Sequence, residues 1–234
     1  MKQFSDQYTF LFATIMVFVV ALLLSFAAIS LQPVQNRNVQ IEKKRRILAA
    51  MNISSNNKNA DERFSRFITA ALLTNVHGDI DTIGDAFSIE LKTEMSKDDK
   101  EKQLPVFIGS LPDKKHIYIL PLFGKGLWGP IYGYMALKND MSTVYGVYFD
   151  HDKETPGLGA EINKQPFQTQ FRGKKILDNS GRLQYIKVTK GGANSENAVD
   201  AISGGTITSK GVEDMIQRCL TLYSNYLLKN THHE

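Results

Sequence analysis

The chain has 234 residues, 42% of them apolar, and a formal net charge of +4 at pH 7. This length allows one domain with a full hydrophobic core, and the ordinary apolar fraction disfavours overall disorder. The charge is small and no basic stripe alternates with aromatic residues, so nucleic-acid binding has little support. The single cysteine, Cys219, excludes an internal disulfide framework and a metal site built from cysteines alone.

An uncharged apolar run covers residues 10–31. As a helix it would be about 33 Å long, which matches a bilayer core of about 30 Å. We therefore predict a short tail over residues 1–9 and a transmembrane helix over 10–31. The alternative is a cleaved signal peptide, whose apolar region is only about 7–15 residues long. The basic cluster at 43–46 follows the run, and the positive-inside rule alone would place the rest of the chain in the cytoplasm.

A helical linker is predicted over residues 32–60, followed by one domain over 61–234. Pro33 indicates a break after the span, residues 39–51 a helix, and residues 52–59 a polar loop. The domain opens with apolar residues at the spacing of one helix face. They are Phe64, Phe67, Ile68, Ala71 and Leu72.

The middle of the chain is predicted to be mainly β, after a charged surface linker over residues 90–102. Apolar and β-branched runs separated by turn residues indicate strands. They cover residues 106–108, 116–122, 131–137, 144–149 and 183–188. A final helix over 211–228 would face the core with Val212, Met215, Ile216, Leu220, Tyr223 and Leu227. The predicted fold class is α+β, a mainly antiparallel sheet with flanking helices on a single N-terminal transmembrane helix.

Familiar catalytic signatures are absent from the sequence: it has no HExxH, CxxC, Walker loop or GxSxG. The scattered histidines disfavour a metal site. In the glycine-rich segment GKGLWGP, residues 124–130, the only tryptophan, Trp128, can stack on a planar ring; the alternative is a core-plugging side chain. In ETPGLG, residues 154–159, the Thr155 hydroxyl and two glycines suit a flavin edge or a phosphate, although a plain turn has the same composition.

A third segment, DAISGGTITS, covers residues 200–209 just before the last helix. Its hydroxyl groups and glycines at a helix start suit an anion. Lys190 could add a positive charge beside a phosphate. The alternative is helix capping by Thr208 or Ser209, which would explain one or two of the hydroxyls.

The first residues of this segment, DAISGGT, resemble the flavinylation motif Asp-x-x-Ser/Thr-Gly-Ala-Thr, whose last threonine is esterified to the phosphate of FMN by a dedicated flavin transferase. GLWGP at 126–130, ETPGLG at 154–159 and KGGA at 190–193 resemble, in order, the other signatures of the C subunit family of Na+-translocating NADH:quinone oxidoreductases. The resemblance covers nearly the whole chain. Gly205 stands where the motif usually has alanine; we expect modification to survive, at an ordering cost of up to about 1 kcal/mol.

The resemblance implies a covalent FMN on Thr206 and a flavinylation motif comprising Asp200, Ser203, Gly204 and Thr206. It implies packing of the flavin by Trp128 and Leu158, hydrogen bonds from Thr155 and Thr208, and Lys190 near the phosphate. The implied cofactor-binding residues are Leu127, Trp128, Glu154, Thr155, Gly157, Leu158, Gly159, Lys190, Ser203, Gly204, Gly205 and Thr208. Neither a catalytic residue nor a metal ligand is predicted.

The implied function is electron transfer within a membrane complex that couples NADH oxidation and ubiquinone reduction to Na+ translocation. Because this chain has no NADH motif, the NADH site is expected on another subunit. The implied partners are other subunits, the flavin transferase during maturation and the lipid bilayer of the bacterial inner membrane, with the domain in the periplasm. Two alternatives stay open: the equivalent flavin subunit (G) of an Rnf-type ferredoxin:NAD+ oxidoreductase, and a non-redox, membrane-tethered binding module.

Overall fold

The computed structural model describes residues 5–81, 84–178, 180–191 and 195–231. The chain forms two compact units, Met1–Lys43 and Lys44–Glu234.

Helix α1, Asp6–Ala50, provides the first unit and continues into the second. Its apolar part is exposed, and by length and composition the helix could cross a membrane. Pro33 lies inside α1, so the predicted break is wrong. A proline removes one backbone hydrogen bond and strains the preceding turn, but long apolar helices tolerate it.

A six-stranded antiparallel sheet forms the centre of the second unit, in the order β2-β1-β3-β4-β5-β6, and β7 and β8 form a separate parallel pair. The strands are β1 (Ile68–Thr74), β2 (Ile80–Asp81), β3 (Leu104–Ser110), β4 (His116–Lys125), β5 (Pro130–Leu137), β6 (Val144–His151), β7 (Lys187–Thr189) and β8 (Ala198–Asp200). The first four predicted strands are confirmed. The fifth is shorter than predicted, because only its end belongs to β7 and Leu183 forms a single bridge with Leu177.

The other helices are α2 (Ala60–Phe67), α3 (Leu91–Glu94), α4 (Gln165–Gln168) and α5 (Thr206–Asn230), with 3-10 turns at Asp99–Glu101, Gly159–Asn163 and Thr169–Phe171. Helix α5 begins before its predicted start at residue 211. The predicted surface linker over 90–102 contains α3, in which Leu91 and Glu94 are buried.

The helix predicted from residue 61 onward is correct only as far as Phe67, because β1 follows at once. Strand β1 pairs with β3, with Thr74 opposite Leu104. Within β1 the partly buried Ile68, Ala70 and Leu72 alternate with the exposed Thr69 and Ala71, which is the period of a strand and not of a helix. Pairing with β3 supplies backbone hydrogen bonds between strands, and this tertiary contact overrides the local pattern.

Both faces of the sheet are covered, as the alternation along β4 shows. Leu120 and Leu122 belong to the hydrophobic cluster that includes α5, whereas Ile117 and Ile119 belong to a second cluster with the end of α1. All six α5 side chains predicted to face the core are buried. Ile47 and Ala50 of α1 and the next residue, Met51, complete the second cluster. The last turns of α1 are therefore part of the domain core.

Three connections meet at one edge of this domain. The pairings Lys125 with Pro130 and Ile131 with His151 bring the β4–β5 loop and the end of β6 to the same edge. Helix α5 approaches the same loop closely, since a Cβ on Gly211 would lie 2.5 Å from the Lys125 carbonyl oxygen. The β4–β5 loop, the segment after β6 and the start of α5 are thereby held together.

Candidate functional site

A cleft of about 370 Å³ lies where these three connections meet. It is lined by Leu127, Trp128, Glu154, Thr155, Leu158, Gly159, Gly204, Gly205, Thr206, Ile207 and Thr208. All except Ile207 belong to the residues that the sequence predicted around a flavin. Segments that are far apart in the chain therefore form a single site.

Thr206 is the first residue of α5, and its side chain is exposed at the cleft. The preceding residue, Gly205, is the N-cap, and no side chain caps the helix. The alternative that Thr208 or Ser209 serves as the cap is therefore wrong. Thr208 instead donates a hydrogen bond to Glu154, and the Ser209 hydroxyl accepts one from the backbone N–H of Ile202 at 3.0 Å. The first turn of α5 thus faces the cleft without a side-chain cap, an arrangement that favours an anion.

Gly204 is required at its position for two reasons. Its φ of +72° lies in the left-handed region, which side chains disfavour. A Cβ at this position would also lie 2.6 Å from Cδ2 of Leu158. Leu158 therefore packs directly over the backbone that leads to Thr206.

The Glu154 carboxylate is buried beside the cleft, and the residue is only 5% exposed. Its Oε1 accepts a hydrogen bond from the Trp128 backbone N–H at 2.8 Å, and its Oε2 accepts one from the Thr208 hydroxyl at 2.5 Å. The backbone N–H of Glu154 donates to Nδ1 of His151 at 3.3 Å. Glu154 and Thr208, both predicted as cofactor contacts, line the cleft and are hydrogen-bonded to each other.

Four apolar side chains remain exposed around the cleft. Trp128 is 64% and Ile207 60% exposed, and Leu127 and Leu158 are more than 40% exposed. The alternative that Trp128 plugs the core is therefore wrong. Exposed apolar side chains grouped around a cleft mark a binding surface, and an indole favours a planar aromatic partner.

The remaining predicted residues do not line the cleft. Gly157 is at the exposed tip of its loop, with φ +75°, and donates its N–H to Glu161. Ser203 is in an exposed turn. Asp200 borders a separate cavity of about 170 Å³ and donates its N–H to Gln170.

Lys190, predicted near the phosphate, also lies outside the cleft lining, in an exposed turn after β7. In the parallel pair, Thr189 is opposite Asp200, which puts Lys190 near the start of the motif rather than at Thr206. Residues 192–194, which include the end of the predicted KGGA signature, are outside the described residues.

Ile207 is the lining residue that sequence reasoning missed. On α5 it shares a side with Asp214 and Arg218, both exposed, and not with the core-facing positions. An apolar residue on the polar side of a helix is the signal that could have identified it. Within the described residues, no group of three His, Cys, Asp or Glu side chains is arranged to hold a metal ion.

The residues of the cleft fit a flavin mononucleotide. The volume of the cleft is within the range of small-molecule sites, about 300–1,000 Å³, and the exposed apolar side chains of the cleft suit a planar ring. The uncapped start of α5 suits a phosphate. The sequence model of the FMN-binding domain family matches residues 126–221, from the Trp128 loop into α5. Fold and cleft therefore define an FMN-binding domain that follows a long apolar helix.

Comparison with known proteins makes the assignment specific. The C subunit of the Na+-translocating NADH-quinone reductase from Vibrio vulnificus strain YJ016 is 32% identical over 213 residues, which is 83% of each chain. The equivalent protein from Vibrio alginolyticus is 33% identical over 215 residues, 83% of this chain and 82% of that one. The crystal structure of the C subunit from Parabacteroides distasonis superposes with a TM-score of 0.78 at 39% identity, covering 84% of this chain and 96% of that one.

The chain belongs to the C subunit family of Na+-translocating NADH-quinone reductases. The predicted family and fold class are confirmed, and the assignment favours this complex over the Rnf-type alternative. The chain is therefore an FMN-binding subunit of such a reductase, and its apolar helix α1 makes it membrane-anchored.

Proposed function

We propose that the chain carries FMN as a phosphate ester of the Thr206 hydroxyl and relays electrons within the reductase complex. The observation that carries the proposal is the position of Thr206: exposed, at the first turn of α5 and on the wall of the cleft. An anionic ester there would gain about 0.3–1 kcal/mol from the helix dipole. The backbone of Gly204 and Gly205 allows a close approach of the tether.

The cleft residues would orient the bound group. Trp128, Leu127, Leu158 and Ile207 offer apolar surface to the ring, and the exposed Thr155 offers a hydroxyl. When bound, FMN supplies transfer of one or two electrons. The covalent link removes dissociation, so the residues around the ring can set its potential without needing high reversible affinity.

The role in the complex follows from the family. The relatives are named for NADH-quinone reduction coupled to Na+ translocation. In this chain the GKGLWG segment at 124–129 has the GxGxxG spacing, but it connects the antiparallel strands β4 and β5 rather than a strand and a helix, so it is not a dinucleotide-binding turn. We therefore propose that it receives electrons from one subunit and passes them to another. A flavin transferase would act on it during maturation, and α1 would lie in the lipid bilayer of the bacterial inner membrane.

A periplasmic domain is part of the proposal, although the basic cluster at 43–46 argued for the cytoplasm. In the structure, Lys44 forms an ion pair with Asp61 at 2.7 Å and Arg46 forms one with Asp150 at 3.4 Å. Lys44 and Arg46 therefore form ion pairs within the domain, and this structural role makes them weaker evidence for the membrane topology. A C-terminal alkaline phosphatase fusion, active only in the periplasm, checks this; an active cytoplasmic reporter at the same position would contradict it.

The covalent link is tested by producing the full chain together with a flavin transferase. We expect flavin fluorescence that stays with the chain on a denaturing gel, and a peptide containing Thr206 with the added mass of FMN. Thr206→Ala should abolish both, while Thr221→Ala, a surface change on the same helix, should leave both intact. An unmodified Thr206 peptide in the wild-type chain would refute the proposal and leave a non-redox binding module.

A further inference from the structure

Glu154 joins the three segments that form the cleft. It belongs to the segment after β6, and its two oxygens accept hydrogen bonds from the β4–β5 loop, at Trp128, and from α5, at Thr208. Thr208 is two residues from Thr206. A single carboxylate therefore links the backbone of Trp128 to the helical turn that bears Thr206.

The surrounding backbone is shaped to admit this carboxylate. A Cβ on Gly126 would lie 2.5 Å from Oε1 of Glu154, and a Cβ on Gly159 would lie 2.4 Å from its Oε2. Neither glycine has a positive φ that would by itself require glycine. Any larger residue at either position would collide with the carboxylate. This lack of room is the physical reason for a glycine at each position.

The negative charge of Glu154 has hydrogen-bond donors but no ion-pair partner. Across residues 5–81, 84–178, 180–191 and 195–231, the ion pairs involve other carboxylates. A buried charge is poorly screened by solvent, so its field extends into the adjacent cleft. Such a charge opposes the arrival of electrons there.

We propose that Glu154 is a positioning residue that fixes the Trp128 loop relative to Thr206, and that its uncompensated charge lowers the midpoint potential of the bound flavin. Both of its oxygens are occupied by protein donors, so it acts through Trp128 and Thr208 rather than as a primary ligand. This inference rests on the proposed covalent FMN. It extends that proposal by naming the residue that sets the geometry and potential of the site.

The test uses the full-length, flavin-loaded chain in detergent, with Glu154→Gln compared with the wild type. Glutamine keeps the size of the side chain but removes the charge and one acceptor. We expect a positive shift of the flavin midpoint potential in spectroelectrochemical titration and a reduced visible circular dichroism of the flavin. Fluorescence of Trp128, the only tryptophan, should rise as its contact with the ring loosens.

Two further variants separate charge from position. Glu161→Gln removes a partly exposed carboxylate of the same region, whose Oε1 accepts the Gly157 N–H at 3.1 Å, and should leave the potential near the wild-type value. Thr208→Val removes one donor but keeps the charge of Glu154, so it should alter the circular dichroism without a positive potential shift.

Distinct results would overturn the inference. An unchanged potential and dichroism in Glu154→Gln, or an equal potential shift in Glu161→Gln, would do so while covalent FMN stays in place. If Glu154→Gln does not fold, a wild-type dichroism in Thr208→Val would overturn the positioning role. Absence of covalent FMN from the wild-type chain would instead refute the proposed function on which the inference rests.

Discussion

Gly159→Ala is the substitution for which the structure predicts the clearest cost. The added Cβ would lie 2.4 Å from Oε2 of Glu154 and 2.4 Å from Oγ1 of Thr208. These two atoms are hydrogen-bonded to each other in a buried site. Neither atom can move away from the new methyl group without stretching that bond or displacing the start of α5.

The expected magnitude follows from these contacts. Overpacking a buried site costs about 1–3 kcal/mol, and loss of a hydrogen bond to a charged group costs about 1.5–3 kcal/mol. Because both effects involve the same atoms, we expect about 3 kcal/mol rather than the full sum. For a domain of this size, that corresponds to a decrease in melting temperature of about 6–12 °C.

Urea and thermal unfolding of the full chain in detergent measure this change. The matched control is Gly129→Ala in the β4–β5 loop, where the new Cβ would meet only the side chain of the exposed Lys153, at 3.3 Å. Its free energy of unfolding should stay within about 0.5 kcal/mol of the wild type. Equal stability of Gly159→Ala and wild type, or equal damage by the two substitutions, would refute the steric reasoning.

Three other perturbations have defined outcomes. The buried Tyr223 hydroxyl donates to the Pro105 carbonyl at 2.9 Å, so Tyr223→Phe should lower the free energy of unfolding in urea by about 1–3 kcal/mol. Burial raises the pKa of Cys219 to about 11; its thiol should resist a thiol reagent at a pH of about 8 until the chain is unfolded. Arg46→Met removes the ion pair with Asp150, and should cost about 0.5–3 kcal/mol in the same urea titration.

Controls and contradictory results are equally specific. Lys115→Met removes an exposed ion pair with Asp113 and should change stability by at most about 1 kcal/mol. If it lowers the free energy of unfolding as much as Arg46→Met does, the Arg46–Asp150 ion pair contributes no more than an exposed ion pair. Rapid labelling of Cys219 in the folded chain would contradict its burial. Wild-type stability of Tyr223→Phe would mean that the Pro105 carbonyl finds another donor.

The sign of the Cys219 effect on stability follows from its raised pKa. The folded chain holds the thiol proton more tightly than the unfolded chain, whose cysteine has the ordinary pKa of 9.0. The contribution of the protonated Cys219 thiol to the free energy of unfolding is therefore complete below about pH 9 and decreases as the pH rises toward about 11.

The strands and the core face of α5 could be predicted because their apolar residues follow the period of the element. Val212, Met215 and Ile216 recur at helical spacing and are buried as predicted. The start of α5 could not be predicted in the same way, since residues 203–209 are small and polar and suit a loop as well as a helix. Its first turn is fixed by tertiary contacts: Thr208 bonds Glu154, and Gly211 packs on the Lys125 carbonyl.

The site was predictable to the extent that its residues belong to recognisable motifs. Those motifs gave Trp128, Leu158 and Thr206, which the fold brings together in one cleft. They could not show that Glu154 bonds Thr208, because this contact joins positions separated by 54 residues. Lys190 was predicted from its charge and from the KGGA signature, and the register of β7 and β8 puts it near Asp200, outside the cleft lining.

Gly205, where the sequence departs from the motif that it resembles, has a structural explanation. Its φ of −109° is accessible to any residue, so the backbone does not require glycine. A Cβ there would lie 3.0 Å from Cγ2 of Ile202, 3.1 Å from the carbonyl carbon of Leu158 and 3.2 Å from the nitrogen of Gly159. The Leu158 loop therefore packs so closely against the helix start that an alanine at position 205 would be in tight steric contact with it. Gly205 is buried under this loop, whereas the next residue, Thr206, is exposed at the cleft.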